Sequence, residues 1–103
     1  MPVHLCKLLP PRPGFPADMS AAEVALMGAH AAYWSGLVER GVAIVFGPVL
    51  EPSGVWGLAI VDVADEKAAA RLTDDDPVIR SGNGFRYDIY PMPQAVLRTS
   101  APP

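Results

Sequence analysis

The stretch Gly41-Val-Ala-Ile-Val-Phe-Gly-Pro-Val-Leu50-Glu-Pro-Ser-Gly54-Val-Trp-Gly-Leu-Ala-Ile-Val-Asp-Val63 decides how this chain folds. Two apolar, β-branched runs, Val42–Val49 and Val55–Val63, flank Leu50–Gly54, where Pro52, Ser53 and Gly54 are turn formers. That pattern predicts a β-hairpin. Both faces of each run are apolar. Val42, Ile44 and Phe46 alternate with Ala43 and Val45, and Trp56, Leu58 and Ile60 alternate with Val55, Ala59 and Val61. An antiparallel sheet with one wet face alternates cleanly between apolar and polar residues. Helices cover one face of such a sheet, so something apolar must cover the other. A second copy of the chain is the simplest candidate, and the expectation is a homodimer with sheets packed face to face through the open face.

Working outward from the hairpin, Ser20-Ala-Ala-Glu23 is a capping box, in which a serine hydroxyl and a glutamate carboxylate each satisfy the other's backbone amide. It predicts a helix over Ala21–Arg40, stopped by Gly41. Val24, Met27, Ala31, Trp34 and Val38 recur at helical spacing and are expected to form its buried stripe, with His30 at the border. Val3–Leu9 reads as a first strand closed by Pro10 and Pro11. Asp65 is placed to cap a second helix, Glu66–Leu72, and Asp76-Pro77 to open a further short turn ending at Gly82. Phe85–Met92 alternates Phe85, Tyr87 and Ile89 with Arg86, Asp88 and Tyr90, a strand with one apolar face. The order is βαββαβ. It predicts an α+β, ferredoxin-like fold, with a four-stranded antiparallel sheet and two helices on one face. The folded unit is expected over residues 1–93, with 94–103 as a C-terminal arm or disordered tail.

Composition removes several function classes. Eight Lys and Arg against eleven Asp and Glu give a net charge of −3, with no basic run, which argues against nucleic acid as a partner. No apolar stretch approaches the length of a membrane span, and the start of the chain does not read as a signal peptide. One cysteine, Cys6, excludes an internal disulfide framework and suits a reducing cytoplasm. His4, His30 and Cys6 have no metal-ligand spacing, and no nucleotide-binding loop or nucleophile elbow is present, so neither metal nor cofactor is expected.

His30 is the leading candidate for chemistry, because an imidazole can take or give a proton near neutral pH. It can equally be an edge histidine bonded to a neighbour. Asp76 reads first as a helix cap and second as a carboxylate that orients His30, and its two oxygens allow both roles. Arg12 lies in the proline-rich segment Pro10–Met19 with Phe15 close behind, where it is either an anion anchor or a solvated charge. Trp34 reads as core or dimer contact before substrate platform.

The run Arg12-Pro-Gly-Phe15, Met19-Ser-Ala-Ala-Glu23, Met27-Gly-Ala-His30-Ala-Ala-Tyr33-Trp34, Leu37, Gly41, Gly47-Pro48 and Asp76-Pro77 resembles the YCII-related (YciI-like) family over about residues 3–93. The resemblance implies a ferredoxin-like fold assembled as a dimeric α/β barrel, similar to muconolactone isomerase. It also implies a His–Asp pair in a cleft, here His30 and Asp76. Arg12, Phe15, Trp34 and Pro48 are the candidate substrate contacts beside that pair. One branch of the family eliminates chloride from a chlorinated hydroxyhydroquinone, so the implied reaction is proton transfer by a cofactor-free lyase or isomerase on a small-molecule substrate. The other readings are a non-catalytic small-molecule-binding or partner domain and a heme-free monooxygenase of the same architecture. The long Pro10–Pro16 segment departs from the best-known members and is expected to reshape or cover the cleft.

Overall fold

The structure is a computed structural model that describes residues 2–98. The order of elements is β1 (Val3–Leu9), α1 (Ala21–Glu39), β2 (Ala43–Glu51), β3 (Gly54–Asp62), α2 (Glu66–Asp74), α3 (Pro77–Arg80) and β4 (Arg86–Met92). The strands form one antiparallel sheet in the order β2-β3-β1-β4, which is the ferredoxin-like arrangement. Three helices are present where two were expected, because the Asp76-Pro77 turn forms a short helix of its own. No helix among the described residues is long and apolar enough to cross a membrane. The part of the expected C-terminal arm beyond residue 98 lies outside the described residues.

Local signals set the element ends. Ser20 caps α1 through the full capping box: its hydroxyl accepts from the Glu23 amide, and its own amide donates to Glu23 Oε1. At the other end Gly41 adopts a φ of 75°, its amide donates to the Val38 carbonyl, and the Val42 amide donates to that of Leu37. This is a Schellman stop, and it turns the chain directly into β2. Asp65 caps α2 by accepting from the Ala68 amide. The β2–β3 turn is tight, with Glu51 paired to Gly54 across Pro52 and Ser53.

The core lies between the sheet and α1. Trp34 is completely buried among small neighbours, with Cys6, Ala43, Ala59 and Ala69 in the same cluster as Leu37 and Val61. Small residues on the strands make room for one large indole, so volume is conserved across the layer. A second cluster joins Leu8, Phe15, Val78 and Phe85, and it ties the proline-rich segment to α3 and the start of β4.

Two expectations need correction. The buried stripe of α1 is Glu23, His30, Trp34 and Leu37, whereas Val24 and Val38 are 57% and 39% exposed and Ala31 is exposed. The outward side of this helix is mostly alanine, glycine and valine, so apolar residues surround the whole helix. Periodicity then carries little information about which side faces the core. The second correction concerns β2. Ala43 pairs with Val61 but Val45 pairs with Ile60, so Ile44 is an extra residue, a β-bulge. Beyond the bulge the alternation is inverted, and Phe46 joins Ala43 on the helix side, opposite Ala59. The open face carries Leu5, Val45, Val49, Trp56, Leu58 and Ile60, with Tyr90 and the Lys7–Asp88 pair towards β4.

Candidate active site

The side chain of Asp76 takes part in four hydrogen bonds. Its place follows from local sequence: it is the N-cap of α3, with Pro77 at the first helical position, and its Oδ1 accepts from the Val78 amide at 3.0 Å. The cap fixes one oxygen and leaves Oδ2 pointing towards α1 and β4. There three side chains converge on it. His30 Nδ1 lies at 2.8 Å, Trp34 Nε1 donates at 2.8 Å, and the Tyr87 hydroxyl donates at 2.5 Å. His30 and Trp34 are four residues apart on α1 and therefore share one face of it. Tyr87 stands on the inward face of β4, and its hydroxyl also accepts from Trp34 Nε1 at 3.0 Å.

The carboxylate is fully buried. Burial alone pushes its proton affinity up, but the bonds from His30 and Tyr87, the His30 charge and the Trp34 bond outweigh it and hold the group below the usual carboxylate range. Burial, with the charge of Asp76 and the bond to it, raises the Tyr87 phenol well above its ordinary value, so it stays a donor. An ionised carboxylate only accepts. His30 Nδ1 must then carry the proton of that bond, which leaves the lone pair on Nε2. Nε2 meets no protein partner among the described residues and is not sealed from solvent, although His30 as a whole is only 8% exposed.

The His30 ring lines a cavity of about 410 Å³. Met27, Ala31 and Trp34 of α1 form one wall, and Phe46, Gly47 and Pro48 of β2 with Val55–Ala59 of β3 form the opposite one. Leu8, Pro10, Phe15, Pro16 and Tyr87 complete the lining. Phe46 packs edge-on to the His30 ring, with centroids 6.2 Å apart. Gly57 lets the Leu8 side chain lie close over β3, since a Cβ there would come within 3.2 Å of Leu8 Cβ.

The expected residues are distributed as follows. His30 and Asp76 are in direct contact, and Phe15, Trp34 and Pro48 line the cavity. Trp34 does so while spending its indole N–H on Asp76. Arg12 is placed elsewhere. Its guanidinium makes a two-pronged contact with Glu23, at 2.6 and 2.8 Å, and a further one with Asp18 at 2.9 Å. It does not line the cavity. Its charge is matched twice over, and it fastens the proline-rich segment to the first turn of α1 instead of meeting a ligand. Bonds from Arg12 and Ser20 lower the Glu23 carboxyl to about 2. Among the described residues no group of three or more His, Cys, Asp or Glu side chains is arranged to hold a metal.

Two members of the site were missed in the sequence. Tyr87 carried a signal: a tyrosine on the inward face of a strand must find a partner for its hydroxyl. Phe46 carried none, because the bulge that turns it inward leaves no local mark. A comparison with curated proteins finds no match. The model of the YCII-related domain family matches residues 8–93, which spans α1, the hairpin, Asp76-Pro77 and β4. With most of its length and the whole His30–Asp76 site inside that match, the chain belongs to the YCII-related domain family.

Proposed function

We propose that this protein is a small lyase or isomerase that moves a proton on a small metabolite, with His30 as the acid–base group. The observation that carries the reading is the 2.8 Å contact of His30 Nδ1 with the buried Asp76 carboxylate, beside a cavity that the same ring lines. His30 Nε2 takes a proton from a substrate C–H, and the electron pair of that bond becomes a C=C bond. In a lyase the pair displaces a leaving group, which departs with its own bonding electrons. In an isomerase the imidazolium returns the proton at another carbon of the same system.

Asp76 does not receive the proton. Its Oδ2 already accepts from Trp34 and Tyr87 as well as His30, which spreads its charge and lowers its basicity, so the proton stays on the ring. Trp34 and Tyr87 act as positioning residues for Asp76, and Phe15, Phe46 and Pro48 shape the cavity around the substrate.

The working unit in this proposal is a homodimer, with a second copy covering the open sheet face and its exposed Val45 and Tyr90. The single cysteine, buried and unpaired, favours a cytoplasmic setting.

A metabolite screen with wild type and His30→Ala tests the chemistry. Positioned acid–base groups contribute about 10²–10⁴-fold in rate, and a loss of that size is expected on substrates that turn over. Unchanged turnover in His30→Ala would remove the assignment, and binding without turnover would favour a small-molecule-binding domain.

A further inference from the structure

We infer that the cavity selects an uncharged ligand and rejects carboxylates and other anions. The inference rests on the reading of the cavity as the substrate site, but it stands on charge and not on the reaction. The lining residues include one side chain that can be ionised at neutral pH, His30. Two cations that lie near lining residues in sequence are accounted for. Arg12 is held by Glu23 and Asp18, and the Lys7 ammonium lies over the Trp56 ring, 4.8 Å from its centroid, on a strand position that faces away from α1.

The groups that face His30 give the same answer from every side. From α3 comes Asp76, a full negative charge; from β4 comes Tyr87, a neutral phenol; from β2 comes Phe46; and from α1 itself comes Trp34. With His30 neutral, the His30–Asp76 pair carries one negative charge. With His30 protonated, the pair is neutral. In no state does the site offer an anion a net positive charge. A carboxylate entering the cavity would leave water and find, at most, one N–H that is already balanced by a buried carboxylate.

A cation fares no better in contact terms. Asp76 is completely buried, and both its oxygens are filled by donors, so no acceptor oxygen of that residue remains for a ligand. Nε2 can serve one polar hydrogen or one polarised C–H. The ligand that fits is therefore neutral, small enough for a cavity of about 410 Å³, with its reactive hydrogen at the His30 end and apolar surface elsewhere.

Three probes of the same shape separate the possibilities: benzamide (neutral), benzoate (anion) and benzamidinium (cation). Each is titrated into the full chain at about pH 8.5, above the ordinary imidazole range. Binding is followed by NMR on the His30 ring signals, which are assigned with His30→Gln against the only other histidine, His4. The expected result is saturable binding of benzamide at millimolar concentration, with benzoate at least about tenfold weaker and benzamidinium no tighter than benzamide. Tighter binding of either charged probe overturns the inference, and so does failure of all three to perturb His30. These readouts need no turnover. Loss of selectivity refutes the neutral-ligand inference alone, whereas activity that survives His30→Ala refutes the assigned reaction alone.

Discussion

Replacing Asp76 by asparagine is the most informative change to make in this protein. The side chains have nearly the same shape, so packing is kept, but the hydrogen-bond chemistry is not. Each oxygen of Asp76 is already met by a donor: the Val78 amide at Oδ1, and His30, Trp34 and Tyr87 at Oδ2. An asparagine brings an NH₂ group of its own, and one side of it must face a donor. If its oxygen takes the Oδ2 position, three charge-assisted bonds become neutral ones, at a loss of about 1 kcal/mol each, and the Val78 amide is stranded at a further 1–3 kcal/mol or so. The sum is about 4–6 kcal/mol, a large part of the roughly 5–15 kcal/mol available to a domain of this size. In a thermal melt followed by circular dichroism, that corresponds to a fall in Tm of about 15–30 °C.

The acid limb gives a second readout. Because the folded state holds the Asp76 carboxyl below its ordinary 3.8, its contribution is complete above that pH. It is lost as the pH falls through the folded value. The variant should therefore show a flatter stability profile in that acid window than wild type does. Asp75→Asn is the control. Asp75 is largely exposed and bonds only the exposed Arg80, so its removal should cost less than about 0.5 kcal/mol. A Tm within about 5 °C of wild type for Asp76→Asn, or equal losses for the two variants, would refute the idea that Asp76 organises this site.

Other changes test other parts of the structure. Tyr87→Phe removes one of three donors to Oδ2 without stranding another group on that oxygen, and a loss of about 1–2 kcal/mol in denaturant unfolding is expected, well short of Asp76→Asn. Arg12→Gln should loosen the proline-rich segment, seen as faster proteolysis between Pro10 and Met19. It should also remove stability that wild type holds above pH 4.5 and loses as the pH falls towards 2, the range over which Glu23 is kept ionised by its partners. Burial pushes the Cys6 thiol up to about 11, so it should resist an aromatic disulfide reagent at pH 8 until the chain is unfolded. Ile60→Asp, on the open sheet face opposite Val45, should convert the proposed dimer to a monomer by light scattering, and an unchanged mass would put the dimer contact elsewhere.

The parts of the fold that were legible in the sequence are those governed by short-range chemistry. The capping box at Ser20, the stop at Gly41, the cap at Asp65 and the Asp76-Pro77 start each involve groups within a few residues of one another, and each marks a helix end within two residues of its observed place. The hairpin was legible for the same reason. The interior side of α1 was not, because its outward face is as apolar as its inward one, and burial there was decided by the fit of Trp34 against Cys6 and Ala59. The fate of Arg12 was equally hidden. Its partners lie six and eleven residues away, across a bend that proline content alone does not specify. At the site, His30 and Asp76 were visible as residue types, while Tyr87 and Phe46 enter through strand register.

The extra residue at Ile44 lets β2 absorb a change in length that a regular strand could not. Up to Ala43 the strand is committed to the core; after the bulge, the residues facing α1 are Phe46 and Pro48 instead of Val45, Gly47 and Val49. A deletion of Ile44 would leave a regular ladder, with Ala43 opposite Val61, Val45 opposite Ile60 and Phe46 still opposite Ala59, so both facing sets would be kept. The aromatic wall at Phe46 and the open-face position of Val45 would both survive the loss. Cavity shape and the open sheet face are thus both insulated from the loss of one residue at this point. A relative that lacked the extra residue would present the same two faces.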